Sequence, residues 1–179
     1  MNLAILRVGP VNSDIIRNIS EQLSEIFPKT ACVVLDSEMQ TPKGAYNSER
    51  NQFHSSFILA KIHQYAEKLT ADRVLGITDV DLYVPQLNFV FGEAECPGKV
   101  AIISLFRLRP EFYGQPPNST VFVERSVKEA VHEIGHTLGL GHCCDPSCVM
   151  FFSNSILDTD RKKSSFCARC YSLVVKRLS

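Results

Sequence analysis

The sequence predicts an α/β domain with a mixed, mostly parallel, twisted sheet flanked by helices, and a small C-terminal subdomain stapled through cysteines. Three observations carry this. Short apolar runs alternate with stretches of helical periodicity, the pattern of strand–helix–strand units. The last candidate strands follow one another with gaps too short for a parallel crossover, so one pair there should be antiparallel. Five of the seven cysteines crowd between Cys143 and Cys170.

Residues 2–8 are short, apolar and closed by Gly9-Pro10, which predicts a buried first strand. Asn12 or Ser13 can cap a helix running to about Phe27, with Ile15, Ile16, Ile19, Leu23 and Ile26 on one face and Pro28 ending it. Ala31 to Leu35 predicts a second strand, and residues 36–53 a long polar loop with a turn at Pro42-Lys43-Gly44. Ser55 or Ser56 starts a second helix to about Leu69, with Phe57, Ile58, Ile62, Tyr65 and Leu69 facing inward. Arg73 to Thr78, Leu87 to Phe91 and Val100 to Leu105 follow as strands. After a loop over Pro110 to Ser119, Ser119 or Thr120 should cap the helix that carries the histidines. No internal repeat or low-complexity linker interrupts the chain.

The 179 residues fit one compact domain, 45% hydrophobic and 21% charged. Lys plus Arg and Asp plus Glu each total 19, so a balanced charge gives no reason to expect nucleic acid or an anionic membrane as partner. No apolar run reaches the roughly 20 residues that span a bilayer. The N-terminus lacks a basic region before a long apolar core, so the expectation is no signal peptide and a cytoplasmic protein. A reducing compartment favours metal binding over disulfides for the clustered cysteines.

The most specific segment is His132-Glu133-Ile134-Gly135-His136-Thr137-Leu138-Gly139-Leu140-Gly141-His142. Histidines four apart lie on one helical face, where two imidazoles can bind one zinc ion. Glu133, beside the first histidine, is placed to take a proton from a water that the metal activates. His142 can join only if the chain turns sharply, and Gly139 provides a residue that enters the left-handed conformation. Three nitrogens leave a coordination position open, as catalysis requires. A helix with surface histidines and a glycine cap is the plain alternative. Five fixed residues put its chance occurrence well below roughly one in ten thousand on average composition.

Cys143 and Cys148, with Cys167 and Cys170, have the spacing of a four-cysteine structural zinc site, and on spacing alone Cys144 could replace Cys143. Cys32 falls in an apolar strand as a core residue, and Cys96 stands alone. His54 and His63 lie beside or on the second helix and are not expected as ligands, Asp79 and Asp81 suit a turn better than a place lining the cleft, and Arg161-Lys162-Lys163 suits a solvated surface.

The histidine motif followed by Met150 resembles the metzincin metallopeptidases, with Met150 in the position of their Met-turn. Cys143 directly after the third histidine, then Cys148, Met150, Cys167 and Cys170 in order, is similar to the archaemetzincins. The resemblance selects Cys143 over Cys144. It implies an upper subdomain over residues 1–139 and a lower one over 140–179, with the substrate extended in the cleft between them. Leu87 to Glu93 is then the candidate edge strand beside the substrate, and Met150 an apolar floor beneath the metal. It also implies peptidase activity, including aminopeptidase activity.

The leading expectation is thus a monomeric zinc-dependent peptidase acting on an extended peptide or protein. His132, His136 and His142 hold the catalytic zinc, Glu133 acts as general base, and Cys143, Cys148, Cys167 and Cys170 hold a second, structural zinc. A non-catalytic module that recognises peptides on the same frame is the alternative, against which the intact Glu133 speaks. A zinc ribbon for nucleic acid lacks the basic, aromatic-rich segment it would need.

Overall fold

A computed structural model describes residues 1–179. Strand β1 (Asn2–Val8), helix α1 (Ser13–Ile26) and strand β2 (Ala31–Met39) form the first unit. A short 3-10 turn, two brief strands β3 (Tyr46–Asn47) and β4 (Gln52–His54), and helix α2 (Ser55–Ala66) follow. Next come β5 (Arg73–Thr78), β6 (Leu82–Tyr83), β7 (Gly92–Ala94) and β8 (Val100–Ser104). Helices α3 (Ser119–Thr137), α4 (Ile156–Arg161) and α5 (Ala168–Leu178) complete the chain.

The main sheet has five strands in the order β2-β1-β5-β8-β7. All neighbours are parallel except β7 and β8, the antiparallel pair that the short gaps predicted. Along β1, Leu3 and Ile5 join the core that includes α1 and α3, while Ala4, Leu6 and Val8 join the core beneath α2. This alternation is the two-residue period of a strand, and it shows the sheet to be the middle of three layers. β8 is buried at every position, as expected of a parallel-sheet strand covered on both faces.

Several expectations change. β2 continues to Met39, through polar residues assigned to a loop, because an edge strand bonded only to β1 tolerates exposed polar side chains. Cys32 on that strand is half-buried rather than wholly within the core. The rest of residues 36–53 is not one open loop but contains β3 and β4, too short to leave a periodic signal, in a second, three-stranded sheet with β6. Helix α2 ends at Ala66, with Leu69 beyond it packed on the core, and Phe57 points outward over Gly44. Asn118, not Ser119 or Thr120, caps α3: its Oδ1 accepts from the Val121 amide at 3.1 Å.

Leu87–Phe91 is not a strand. The Arg50 guanidinium and the Gln52 amide donate to the Leu87 and Asn88 carbonyls at 2.9 Å, taking the acceptors that a ladder would use. Only Val90 bridges back to Leu82, and sheet pairing resumes at Gly92. Arg161-Lys162-Lys163 is not a solvated run either. Lys162 is fully buried, drawn inward by Glu129 at 3.0 Å.

Candidate functional site

The histidines are set by the way α3 is buried and then broken. Its residues from Arg125 to Gly135 are all buried between sheet and C-terminal segments, so the helix cannot rotate. At its end Gly139 has φ +84°, and its amide donates to the His136 carbonyl at 2.8 Å. A side chain is strained in that conformation, so glycine makes the stop. The chain then doubles back and brings His142 to the helix.

The donor nitrogens of His132, His136 and His142 lie within 4.8 Å of one another. His132 Nδ1 pairs with the Val149 carbonyl at 2.8 Å, and His136 Nδ1 with the Leu140 carbonyl at 2.7 Å. A carbonyl accepts only, so each Nδ1 carries the proton and each Nε2 presents a lone pair. Those two Nε2 atoms face each other at 3.0 Å. Two lone pairs so close repel unless a cation lies between them. Two nitrogens at ~2.0–2.1 Å from a tetrahedral zinc would be about 3.3 Å apart, so the spacing fits that ion. Burial lowers the pKa of all three imidazoles, most strongly at His132, with the Lys162 charge adding to the effect. Neutral rings are the form that binds metal. Phe152 packs against the His142 ring at 4.8 Å and fixes the exposed member of the set.

Glu133 is buried beside this triad, and burial pushes its carboxyl well above the usual carboxylate range. Glu129 and Glu93 push the same way, while Lys162 opposes them. Glu93 on β7 is itself held by the hydroxyls of Ser55 and Ser56. Gly92 leaves the space that Glu133 fills: a Cβ there would lie 2.7 Å from Glu133 Cγ, Glu133 Oε1 and the Ile102 carbonyl oxygen. Met150 is fully buried beneath the helix, its sulfur 2.5 Å from where a Cβ on Gly135 would be.

The sulfurs of Cys143, Cys148, Cys167 and Cys170 also converge within 4.8 Å, and Cys144 stays exposed outside the group. Cys143 and Cys167 Sγ are 3.8 Å apart, too far for a disulfide. A tetrahedral zinc with Zn–S ~2.3 Å sets its sulfurs about 3.8 Å apart. Burial raises the Cys143 pKa, but hydrogen bonds from the Asp145 backbone, Cys170, Cys167 and Arg169 outweigh it and bring the thiol down to about 7.

A cavity of about 210 Å³ opens beside His132 and Glu133, walled by Leu87–Gly92, Glu129 and Phe152–Asn154. The predicted edge segment Leu87 to Glu93 therefore does flank the site, although only its end is a strand. His63 pairs instead with Glu95 at 2.6 Å, and neither it nor His54 joins a metal-binding group. Asp79 and Asp81 pair with Arg109 and Arg107, tying the loop after β5 to the segment after β8. Glu129, Glu93 and Lys162 escaped the sequence reading. Only Glu129 left a signal, since it lies one turn before Glu133 on the same helical face.

Comparison with known proteins gives consistent findings. A model described as peptidase family M54 matches residues 9–176. An archaemetzincin of Methanocaldococcus jannaschii is 49% identical over 170 residues, which cover 95% of this chain and 90% of that protein. The crystal structure of an archaemetzincin from Methanopyrus kandleri superposes with a TM-score of 0.88 at 39% identity, over 99% of this chain and 95% of that one. A structure of a zinc-dependent peptidase from Methanocorpusculum labreanum gives 0.87 at 30% identity, over 96% and 99%.

Proposed function

The chain belongs to peptidase family M54 and is a zinc metallopeptidase, a hydrolase acting on peptide or protein substrates, and on that premise we propose that Glu133 is its general base and that it binds two zinc ions. His132, His136 and His142 hold the catalytic ion; Cys143, Cys148, Cys167 and Cys170 hold a structural one. The observation that carries the first assignment is the pair of facing Nε2 atoms, each imidazole oriented by a backbone carbonyl. The 3.8 Å sulfur spacing supports the second.

Zinc on three imidazoles supplies a Lewis acid for the scissile carbonyl and a water acidified toward neutral pH. Glu133, buried next to His132 and lining the same cavity, is the carboxylate that would take a proton from a water on that ion and return it to the departing amine. Gly92 and β7 hold it from behind. The substrate lies extended along the segment Leu87 to Glu93, between an upper part over residues 1–139 and a lower part over 140–179, on a monomer. No helix is long and apolar enough to cross a membrane. The balanced charge gives no reason to expect nucleic acid as partner, and the setting proposed is the cytoplasm, where reduced thiols are available to a metal.

Glu133→Ala should keep both zinc ions and lower peptide hydrolysis about 10²–10⁴-fold, the range of a general acid–base. Hydrolysis equal to the parent protein's, at equal zinc content, would refute the assignment. The resemblance extends the proposal to aminopeptidase activity. Release of residues from free but not from acetylated peptide N-termini would identify it.

A further inference from the structure

The cavity beside His132 has one charged side chain in its wall that the hydrolytic machinery does not use. Glu129 is only 3% exposed and lies one turn before Glu133. Its Oε1 accepts from the Thr159 hydroxyl at 3.0 Å, and the Lys162 ammonium lies 3.0 Å from the same oxygen. Lys162 is fully buried, and its ammonium lacks hydrogen-bond geometry toward any acceptor. The contact with Glu129 is therefore a charge pairing rather than a directed bond. Such a lysine has been taken out of water for the sake of one carboxylate, and in a dry setting each charge of the pair acts strongly on its surroundings.

Alone, a carboxylate in that wall would draw a lysine or arginine side chain of the substrate. Lys162 behind it cancels that attraction. Apart from His132 and Glu133 of the hydrolytic machinery, the other walls come from Leu87, Phe89, Val90, Phe91 and Phe152, with the uncharged Asn88, Ser153 and Asn154 beside them. A volume of about 150 Å³ holds a benzene ring, so the 210 Å³ here has room for an aromatic side chain against the apolar part of the wall.

Resting on the zinc-peptidase reading above, we propose that this cavity selects an uncharged, aromatic-sized substrate side chain next to the scissile bond, and that the buried Lys162–Glu129 pair sets this choice. Lys162 and Glu129 are thus specificity-determining residues supplied by different segments, the one just after α4 and the other on α3.

The test separates substrate choice from hydrolysis. Peptidyl hydroxamates, whose zinc-binding group needs no turnover, carry Phe, Lys or Glu as the adjacent side chain and are titrated into the zinc-loaded protein. The parent protein should bind the Phe compound at least about tenfold more tightly than the Lys or Glu compounds, the scale of an uncompensated buried charge. Lys162→Met should shift the preference toward Lys, and Glu129→Gln toward Glu. The two variants move in opposite directions, a result that general loosening of the fold cannot give. If the parent binds all three alike, or prefers a charged one, the proposal is overturned. It is overturned also if a folded variant keeps the parent's ranking. If no hydroxamate binds zinc-loaded protein, the catalytic-zinc assignment itself fails.

Discussion

At the level of single residues, the histidine motif could be read from the sequence because its chemistry is local. His132 and His136 share a helical face through their spacing, and Gly139 marks the stop by the conformation it adopts. Of the residues that tune Glu133 only Glu129 lies on the same helix; the others could not be read, because they come from elsewhere in the chain. Gly92 is 41 positions away, yet the site depends on its missing Cβ. Gly92→Ala should push Glu133 and the Ile102 carbonyl apart, costing about 1–3 kcal/mol of stability, as overpacking does. Because a shift near 1 Å at a catalytic group can cost about 10²-fold, turnover should fall far more than zinc affinity. Equal losses in both would mean that Gly92 supports the fold in general and not Glu133. Lys162 was illegible for a related reason: in Arg161-Lys162-Lys163 nothing local distinguishes the one lysine that turns inward.

Among the elements, long periodic ones were legible and short ones were not. α1 formed with the expected face, capped by Asn12, and β1, β5 and β8 lie where apolar runs predicted them. β3, β4 and β6 are two or three residues long, below the length at which alternation can be counted. Helix α4 was unforeseen as well, and its importance is tertiary. It seals the upstream half of α3 through Arg125, whose guanidinium makes two 2.7 Å bonds to Asp160, and through Thr159 on Glu129. Arg125 is 5% exposed but Asp160 is 39% exposed. Arg125→Ala should therefore cost about 2–3 kcal/mol, less than the ~3–5 of a fully buried pair, because solvent screens the aspartate. Thermal unfolding should show this as a lower midpoint. An unchanged midpoint would mean that α4 is held by its apolar contacts alone.

For the molecule as a whole, the two proposed metal sites are joined through the backbone. His132 is oriented by the carbonyl of Val149, the residue after Cys148, and Cys143 follows His142 directly. The Cys143 amide also donates to the Met150 carbonyl at 2.9 Å, closing the loop that carries both sets. Structural zinc would therefore fix part of the catalytic site, and its loss should be felt there. The parent protein should contain two zinc ions, and the variant lacking both His132 and His136 should keep one. Thiol alkylation reports the other site. With zinc bound, Cys96 and Cys144, which are exposed, should react first. Cys32 should lag, because burial pushes its thiol up and leaves less thiolate at any given pH; its rate should climb only above the pH at which an ordinary thiol ionises. After chelation, Cys143, Cys148, Cys167 and Cys170 should become reactive together, since four thiolates on one ion are released as a set. Staggered release, or alkylation of all four in zinc-replete protein, would exclude a shared ion. It would leave the convergent sulfurs as packing in the core around Val174 and α5.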